Sequence, residues 1–210
     1  MYPAAIFEHI PIDAPRDRIY RRLGYRRGVT RTSAAEDAEM DASIAEALAL
    51  IKLQGAARRL SIRNRDEAQV VLVIDGGETT LASRTLAGFL RGCDEVLLMG
   101  ATAGSSIMDA IREDMDGDRV TRGVVFDAVA SETVDASLDW IMTYFRQGLR
   151  RENKSLTDKR YSAGYGDFLL ENQRSLVELL NLQRIGVDLT ASCILMPEKS
   201  VTAVAGIGEI

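Results

Sequence analysis

The sequence predicts an α+β fold with a mainly antiparallel sheet and helices packed around it. Two continuous apolar runs, at 70–74 and 96–99, are typical of buried strands. Two more strand-like runs, at 189–196 and 200–207, flank a turn at 197–199 and suggest a hairpin. Strands and helices do not alternate cleanly along the chain, which favours an antiparallel sheet over a parallel one.

The composition indicates one domain spanning 1–210. The chain has 210 residues, 46% of them hydrophobic and 27% charged, which is ordinary for a globular protein with its own core. We divide this domain into a basic N-terminal arm at 1–32 and a ligand-motif region at 159–207. The net charge of −5, from 26 basic and 31 acidic residues, argues against nucleic-acid binding, because that needs a positive field.

The sequence also favours a cytoplasmic protein without a membrane span or a metal site. No run of about 18 apolar residues is present, and residues 1–10 lack the pattern of a signal peptide. Cys93 and Cys193 are isolated in apolar surroundings, which suits reduced thiols. His9 is the only histidine, so no zinc site of ordinary ligand spacing can be assembled.

Two helices are predicted before the sheet begins. Pro15 and Gly24 bracket a short helix, and the capping-box form of 33–36 predicts a longer one over 34–56. Residues 16–31 carry seven arginines against one Asp. They form either a solvated helix face followed by a mobile link, or a docking patch for an acidic partner.

The next segment is predicted to form a hairpin and a helix. Alternation over 59–63 indicates a half-exposed strand, joined to the run at 70–74 through a connection at 64–69. The Asp-Gly-Gly sequence at 75–77 predicts a turn into a helix at 81–91. A nucleotide-binding loop is disfavoured there, because the required glycine spacing is missing.

The middle of the chain is predicted to be helical after one buried strand. The glycine spacing of 100–104 resembles a phosphate-binding loop without its lysine, so we interpret it as a turn that opens a helix at 104–115. A role of this turn in framing a ligand cleft stays open. Hydrophobic spacing then predicts a long helix over 120–150 and a short one over 171–182.

The stretch at 159–167 reads Lys-Arg-Tyr-Ser-Ala-Gly-Tyr-Gly-Asp and combines several ligand-binding residue types. Arg160 offers a planar fork of donors suited to a carboxylate. The glycines permit positive φ and a close approach of the backbone to a ligand. The tyrosines offer flat faces for a cation or an adenine ring. From these residues alone, a ligand site and a tight surface loop with an Arg–Asp pair are equally open.

The same residues carry a family resemblance. Arg-x-Ser-x-Gly-Tyr-Gly-Asp at 160–167, Ile-Gly-Val-x-Leu-Thr-x-Ser at 185–192 and Pro-x-x-Ser-Val at 197–201 resemble the activation domain of cobalamin-dependent methionine synthase, particularly its stand-alone relatives. Weaker similarity at 22–25 and 98–104 extends the resemblance over most of the chain. The resemblance implies a methionine synthase activation domain-like fold.

The resemblance implies that the protein binds S-adenosylmethionine and helps to reactivate an oxidised cobalamin enzyme. The implied ligand-binding residues are Arg160, Ser162, Gly164, Tyr165, Gly166 and Asp167. Arg160 would hold the ligand carboxylate, Tyr165 (or Tyr161 as a weaker candidate) would face the adenine or the sulfonium, and Asp167 would meet the ammonium or cap the next helix. No residue of this chain is expected to be catalytic, because the cobalt performs the nucleophilic chemistry.

Cobalamin is expected on a partner, a separate methionine synthase. The segment Glu8-His9-Ile10 does not match the Asp-x-His-x-x-Gly pattern through which such enzymes ligate cobalamin. A flavodoxin-like protein is the implied reductant.

Three positions depart from the family pattern. Ala191 replaces the usual Glu, and Ala205 and Gly206 stand where the fused domains carry aromatic residues that contact the ligand. These departures leave open an alternative, a non-catalytic adapter that docks on a corrinoid protein or its reductase without binding S-adenosylmethionine. An independent small-molecule methyltransferase is a third hypothesis, disfavoured by the missing glycine signature.

Overall fold

The centre of the fold is an antiparallel sheet, seen in a computed structural model that describes residues 3–26, 29–30 and 32–209. The strands in chain order are β1 (Ala5–Phe7), β2 (Gln54–Arg65), β3 (Gln69–Ile74), β4 (Gly77–Ala82), β5 (Glu95–Thr102), β6 (Lys154–Leu156), β7 (Asp188–Leu189), β8 (Leu195–Met196) and β9 (Ser200–Glu209). Across the main sheet the order is β4–β3–β2–β5–β9–β6, and β1 pairs with the first part of β2. The strands β7 and β8 pair with each other in a separate small sheet.

Six α-helices surround the sheet within the described residues. They are α1 (Arg16–Arg22), α2 (Ala34–Leu50), α3 (Arg84–Phe89), α4 (Ser105–Asp116), α5 (Val120–Leu149) and α6 (Gln173–Leu180). This arrangement confirms the predicted α+β class with a mainly antiparallel sheet. None of the described helices is both long enough and apolar enough to cross a membrane.

The sheet is buried on both faces, because its central strands send alternate side chains into two separate cores. Along β5, Leu97 and Met99 join a core built with α1, α2, α4 and α5, whereas Val96 and Leu98 join a core built with α3 and α6. Buried side chains recur at helical spacing along α5, where Phe126 is fully buried. The long helix α5 therefore lies across one face of the sheet and positions groups along its whole length.

The capping box at Ser33 is confirmed, but the helix that it opens ends earlier than predicted. The Ser33 side chain accepts a hydrogen bond from the Glu36 N–H, and the Glu36 carboxylate accepts one from the Ser33 N–H at 2.7 Å. The helix ends at Leu50, and 54–56, predicted to be helical, lies instead in β2. There it pairs with β5 on one side and β1 on the other, so long-range pairing overrides the local preference.

Two further predictions of local structure are wrong, one at a helix boundary and one in its strand pairing. The segment 77–82 forms β4, which pairs with β3 through the turn at 75–76, and the helix begins only at Arg84. The predicted hairpin between 189–196 and 200–207 does not form. The strand β8 pairs with β7, whereas β9 crosses the main sheet between β5 and β6, where its small apolar side chains are buried.

Candidate ligand site at the Arg160 loop

The loop that follows β6 returns to the sheet at Tyr161. The Tyr161 N–H donates to the Val204 carbonyl and the Val204 N–H to the Tyr161 carbonyl, both at 2.8 Å. Because side chains alternate across such a bridge, Tyr161 joins the core on the α6 side, and Arg160 reaches α5 on the other side. The motif therefore straddles the edge of the sheet.

Both glycines of the motif adopt the left-handed conformation that the sequence predicts. Gly164 has φ +94° and Gly166 has φ +56°. The Gly164 N–H donates to the Phe168 carbonyl at 2.7 Å, and the Ser162 carbonyl accepts from the Tyr165 N–H at 3.4 Å. A Cβ on Gly166 would lie 2.7 Å from the Tyr161 hydroxyl oxygen, so this position also lacks space for a side chain. The loop is consequently tight and held by its own hydrogen bonds.

Arg160 is engaged by two carboxylates of α5. Its Nη2 donates to Asp135 Oδ1 at 2.6 Å, and its Nη1 donates to Asp139 Oδ1. Burial lowers the pKa of the Arg160 guanidinium, but the two carboxylates outweigh that effect and raise it overall. From the sequence, this guanidinium is expected to be available to a ligand carboxylate, whereas in the structure it is already paired.

A shallow depression of about 610 Å³ surrounds this ion-pair cluster. Its lining residues are Arg18, Arg21, Arg22, Glu132, Asp135, Asp139 and Arg160. Four guanidinium groups and three carboxylates therefore share one open surface, and of the six ligand residues expected from the sequence, Arg160 alone lines it. The carboxylates were missed, although their spacing at positions 132, 135 and 139 (i, i+3, i+7) places them on one helix face.

Asp167 is committed to a helix N terminus. Its Oδ2 accepts from the Arg84 N–H at 2.7 Å, and its Oδ1 accepts from the Ser83 hydroxyl at 2.6 Å and the Thr85 N–H at 3.1 Å. The hydrogen bonds from Ser83 and Thr85 hold the Asp167 pKa well below its usual range. The capping alternative is thus the one seen in the structure, although the helix is α3 rather than the helix that follows the motif.

The two tyrosines of the motif differ in exposure. Tyr161 packs on Phe89, with ring centroids 6.0 Å apart, and donates its hydroxyl to the Tyr165 carbonyl at 3.2 Å. Tyr165 is 68% exposed. The Tyr165 ring is therefore the more accessible of the two to a ligand or partner.

Comparison with known proteins supplies a neighbour in fold. No protein-family model matches the chain, and no curated protein matches its sequence. Among solved structures, the fold is similar to that in the crystal structure of the MetH reactivation domain bound to AdoHcy. The match has a TM-score of 0.65 and covers 98% of the present chain and 81% of the MetH chain. The chain has the fold of the MetH reactivation domain. The sequence identity is 13%, so the comparison confirms the resemblance at the level of the fold.

Within this reactivation-domain fold, three arginines of the basic arm are paired with carboxylates of the same chain. Arg18 Nη2 donates to Asp139 Oδ2 at 2.7 Å, Arg22 Nη1 donates to Glu132 Oε1 at 3.0 Å, and Arg16 pairs with Asp41. This pairing reduces the positive charge that is available to bind an acidic partner. Arg27 and Arg31, also part of the predicted patch, lie outside the described residues.

The two C-terminal departures from the family pattern fall in the core of the reactivation-domain fold. Ala205 is fully buried in the α5-side core. A Cβ on Gly206 would lie 2.4 Å from Cys93 Sγ and 3.0 Å from Leu90 Cδ2. Neither position has room for an aromatic side chain, because the neighbouring residues already fill that space.

Ser200 and Thr102, from two segments that carry the resemblance, meet at the end of the central strands. The Ser200 hydroxyl donates to Thr102 Oγ1 at 2.9 Å, and the Gly104 N–H donates to the same oxygen at 3.0 Å. Gly104, with φ +85°, then opens α4. The predicted turn at 100–104 is thus shorter in the structure, because β5 continues to Thr102 and only 103–104 connect it to α4.

Proposed function

We propose that this protein binds S-adenosylmethionine and supports the reductive methylation of cobalamin on a separate methionine synthase. The observation that carries the proposal is the fold match over 98% of the chain to a MetH reactivation domain bound to AdoHcy. AdoHcy is S-adenosylmethionine without its methyl group, so a related site would accept both. The Arg160 loop, whose sequence carries the resemblance, adds support because it lies beside a charged depression.

The charges of this depression suit the amino-acid end of the ligand. S-adenosylmethionine carries a carboxylate, an ammonium and a sulfonium, and the depression offers both guanidinium and carboxylate groups. A zwitterion can enter between Arg160 and its partners with every charge still paired, its carboxylate on Arg160 and its ammonium on Asp135 or Asp139. We therefore assign the ammonium to these carboxylates rather than to Asp167, whose oxygens are engaged at α3.

The remaining motif residues are proposed to receive the nucleoside. Tyr165 presents an exposed ring for stacking, and the exposed Gly164 and Gly166, together with Ser162, form the turn beside it. The bound ligand supplies a methyl group, and the chain's own task is to hold it in place. No general base is required of this chain.

The cobalamin, the electron donor and the cellular compartment belong to the same proposal. Cobalamin would be carried by the methionine synthase, a flavodoxin-like protein would supply the electron, and the reaction would take place in the cytoplasm. The exposed side chains of Tyr165 and Leu169 offer contact area for such a partner.

Isothermal titration with S-adenosylmethionine and AdoHcy tests the binding step. A charge-assisted pair contributes about 1.5–3 kcal/mol to the binding free energy. Arg160→Gln is therefore expected to weaken the binding of both ligands by about tenfold or more. Arg91→Gln is the matched control, because Arg91 is exposed and its substitution removes the same charge at a different place on the surface. The absence of heat at millimolar ligand would contradict the proposal.

The ion pairs of Arg160 favour a second candidate, a docking adapter that does not bind S-adenosylmethionine. With its guanidinium held by Asp135 and Asp139, Arg160 is satisfied without a ligand. An adapter would retain a cobalamin protein or its reductase in a pull-down irrespective of added S-adenosylmethionine. Retention that depends on the ligand would instead support the reactivation factor.

A further inference from the structure

A second cavity, of about 610 Å³, lies between β1, β2 and the last turns of α5. Small side chains form its floor, at Ala5 and Ala57, and Phe145 and Leu149 contribute apolar walls. It shares no lining residue with the Arg160 depression. Its volume is in the range of about 300–1,000 Å³ typical of small-molecule sites.

A fixed aromatic ring forms one side of this cavity. Tyr144 is 53% exposed, yet its ring stacks on Trp140 at 5.6 Å between centroids and meets the Phe7 ring edge-on at 5.3 Å. These contacts hold the Tyr144 ring in place before any ligand arrives. Such a pre-positioned flat face suits the ring of an apolar ligand.

The mouth of the cavity carries an uncompensated positive charge. Arg59 donates to both oxygens of Glu152, at 2.8 and 2.7 Å, and also pairs with Glu95, which Lys154 contacts from the other side. This four-membered cluster is neutral as a whole. Arg151, which also lines the cavity, is exposed and has no carboxylate partner among the described residues.

We propose that this cavity binds a small amphiphilic anion, with an apolar ring against Tyr144 and a carboxylate, sulfonate or phosphate on the Arg151 guanidinium. The charge complementarity at Arg151 selects an anion over a neutral compound. The volume and the small side chains of Ala5 and Ala57 in the lining favour a compact molecule over a broad protein surface. This site is independent of the proposed S-adenosylmethionine site.

The probe for this site is 1-anilinonaphthalene-8-sulfonate, a flat apolar anion whose fluorescence rises on binding. Trp140, the chain's one tryptophan, stacks on Tyr144 and supplies a local second signal. We expect one saturable site, with Trp140 emission quenched in parallel and no competition from S-adenosylmethionine. Arg151→Gln should weaken binding about tenfold, whereas Arg150→Gln, an exposed neighbour outside the cavity lining, should leave it unchanged.

Filling the cavity supplies the complementary variant. A Cβ on Gly148 meets no atom within 4 Å, so Gly148→Phe can place a ring in the cavity without a backbone clash. We expect Gly148→Phe to abolish probe binding while the thermal unfolding curve stays cooperative. Equal binding by wild type, Gly148→Phe and Arg151→Gln would overturn the proposal. Equally tight binding of the uncharged analogue N-phenyl-1-naphthylamine to the wild type would overturn the anion specificity and indicate an apolar contact surface instead.

Discussion

Substituting Gly206 by alanine tests the interpretation of the C-terminal strand as a packed core element. The new Cβ would lie 2.4 Å from Cys93 Sγ, 3.0 Å from Leu90 Cδ2 and 3.1 Å from Thr157 Cγ2. The strand cannot move away freely, because the Gly206 carbonyl accepts from the Thr157 N–H at 2.9 Å and its N–H donates to Thr157 Oγ1 at 3.0 Å. The added methyl group must therefore displace its neighbours.

Overpacking of this kind lowers the free energy of unfolding by about 1–3 kcal/mol, and the fixed backbone places Gly206→Ala at the upper end. For a chain of this length, the melting temperature should fall by about 4–10 °C. Urea denaturation followed by circular dichroism measures the change in the free energy of unfolding. Gly148→Ala is the matched control, since its Cβ meets nothing and alanine favours the helix.

A double-mutant cycle with Cys93→Ala identifies the clash. Removing the sulfur should recover about 1–2 kcal/mol of the Gly206→Ala loss, because the nearest contact disappears. A Gly206→Ala protein within about 0.5 kcal/mol of the wild type, or the same loss with and without Cys93, would refute the packing argument. Position 206 would then be free to carry a ligand-facing side chain.

Three further predictions follow from single contacts. Replacing Asp135 and Asp139 together by Asn should weaken the binding of both S-adenosylmethionine and AdoHcy by about tenfold in calorimetry, because both ligands carry the ammonium that is assigned to these carboxylates. Asp167→Asn should lower the melting temperature at pH 7. Because the pKa of Asp167 is lower in the folded state than in the unfolded state, the difference from wild type should persist at pH values above the unfolded-state pKa and vanish as the pH falls through the folded-state pKa. Melting curves recorded from pH 7 downward would check this dependence. Asp114 is fully buried between Arg119 and Arg122. Asp114→Ala should therefore lower the free energy of unfolding, measured by urea denaturation, by about 2 kcal/mol, whereas Asp109→Ala, at an exposed position, should change it little.

The sequence predicted the fold class because its strongest signals are local or carried by the family resemblance. The capping box at Ser33 marked the start of α2, and the apolar run at 96–99 marked the centre of β5. The residues of 54–56 are equally compatible with helix and strand, so their place in β2 depended on partners far along the chain.

The candidate site was predictable in part for the same reason. The positive φ of Gly164 and Gly166 follows from residue type alone. The partners of Arg160 do not, because Asp135 and Asp139 lie on α5 and reach the loop only through tertiary packing. Likewise, the contact of Asp167 with the N terminus of α3 joins residues more than eighty positions apart.

The most direct test of the reactivation role is the transfer of a labelled methyl group from S-adenosylmethionine to the cobalamin of a methionine synthase that lacks its own activation domain, in the presence of a reductant. We predict that transfer requires this protein, and that Arg160→Gln lowers its rate at limiting ligand by about tenfold while Arg91→Gln does not. Transfer at the same rate without this protein, or no transfer in its presence although S-adenosylmethionine binds, would contradict the proposed function.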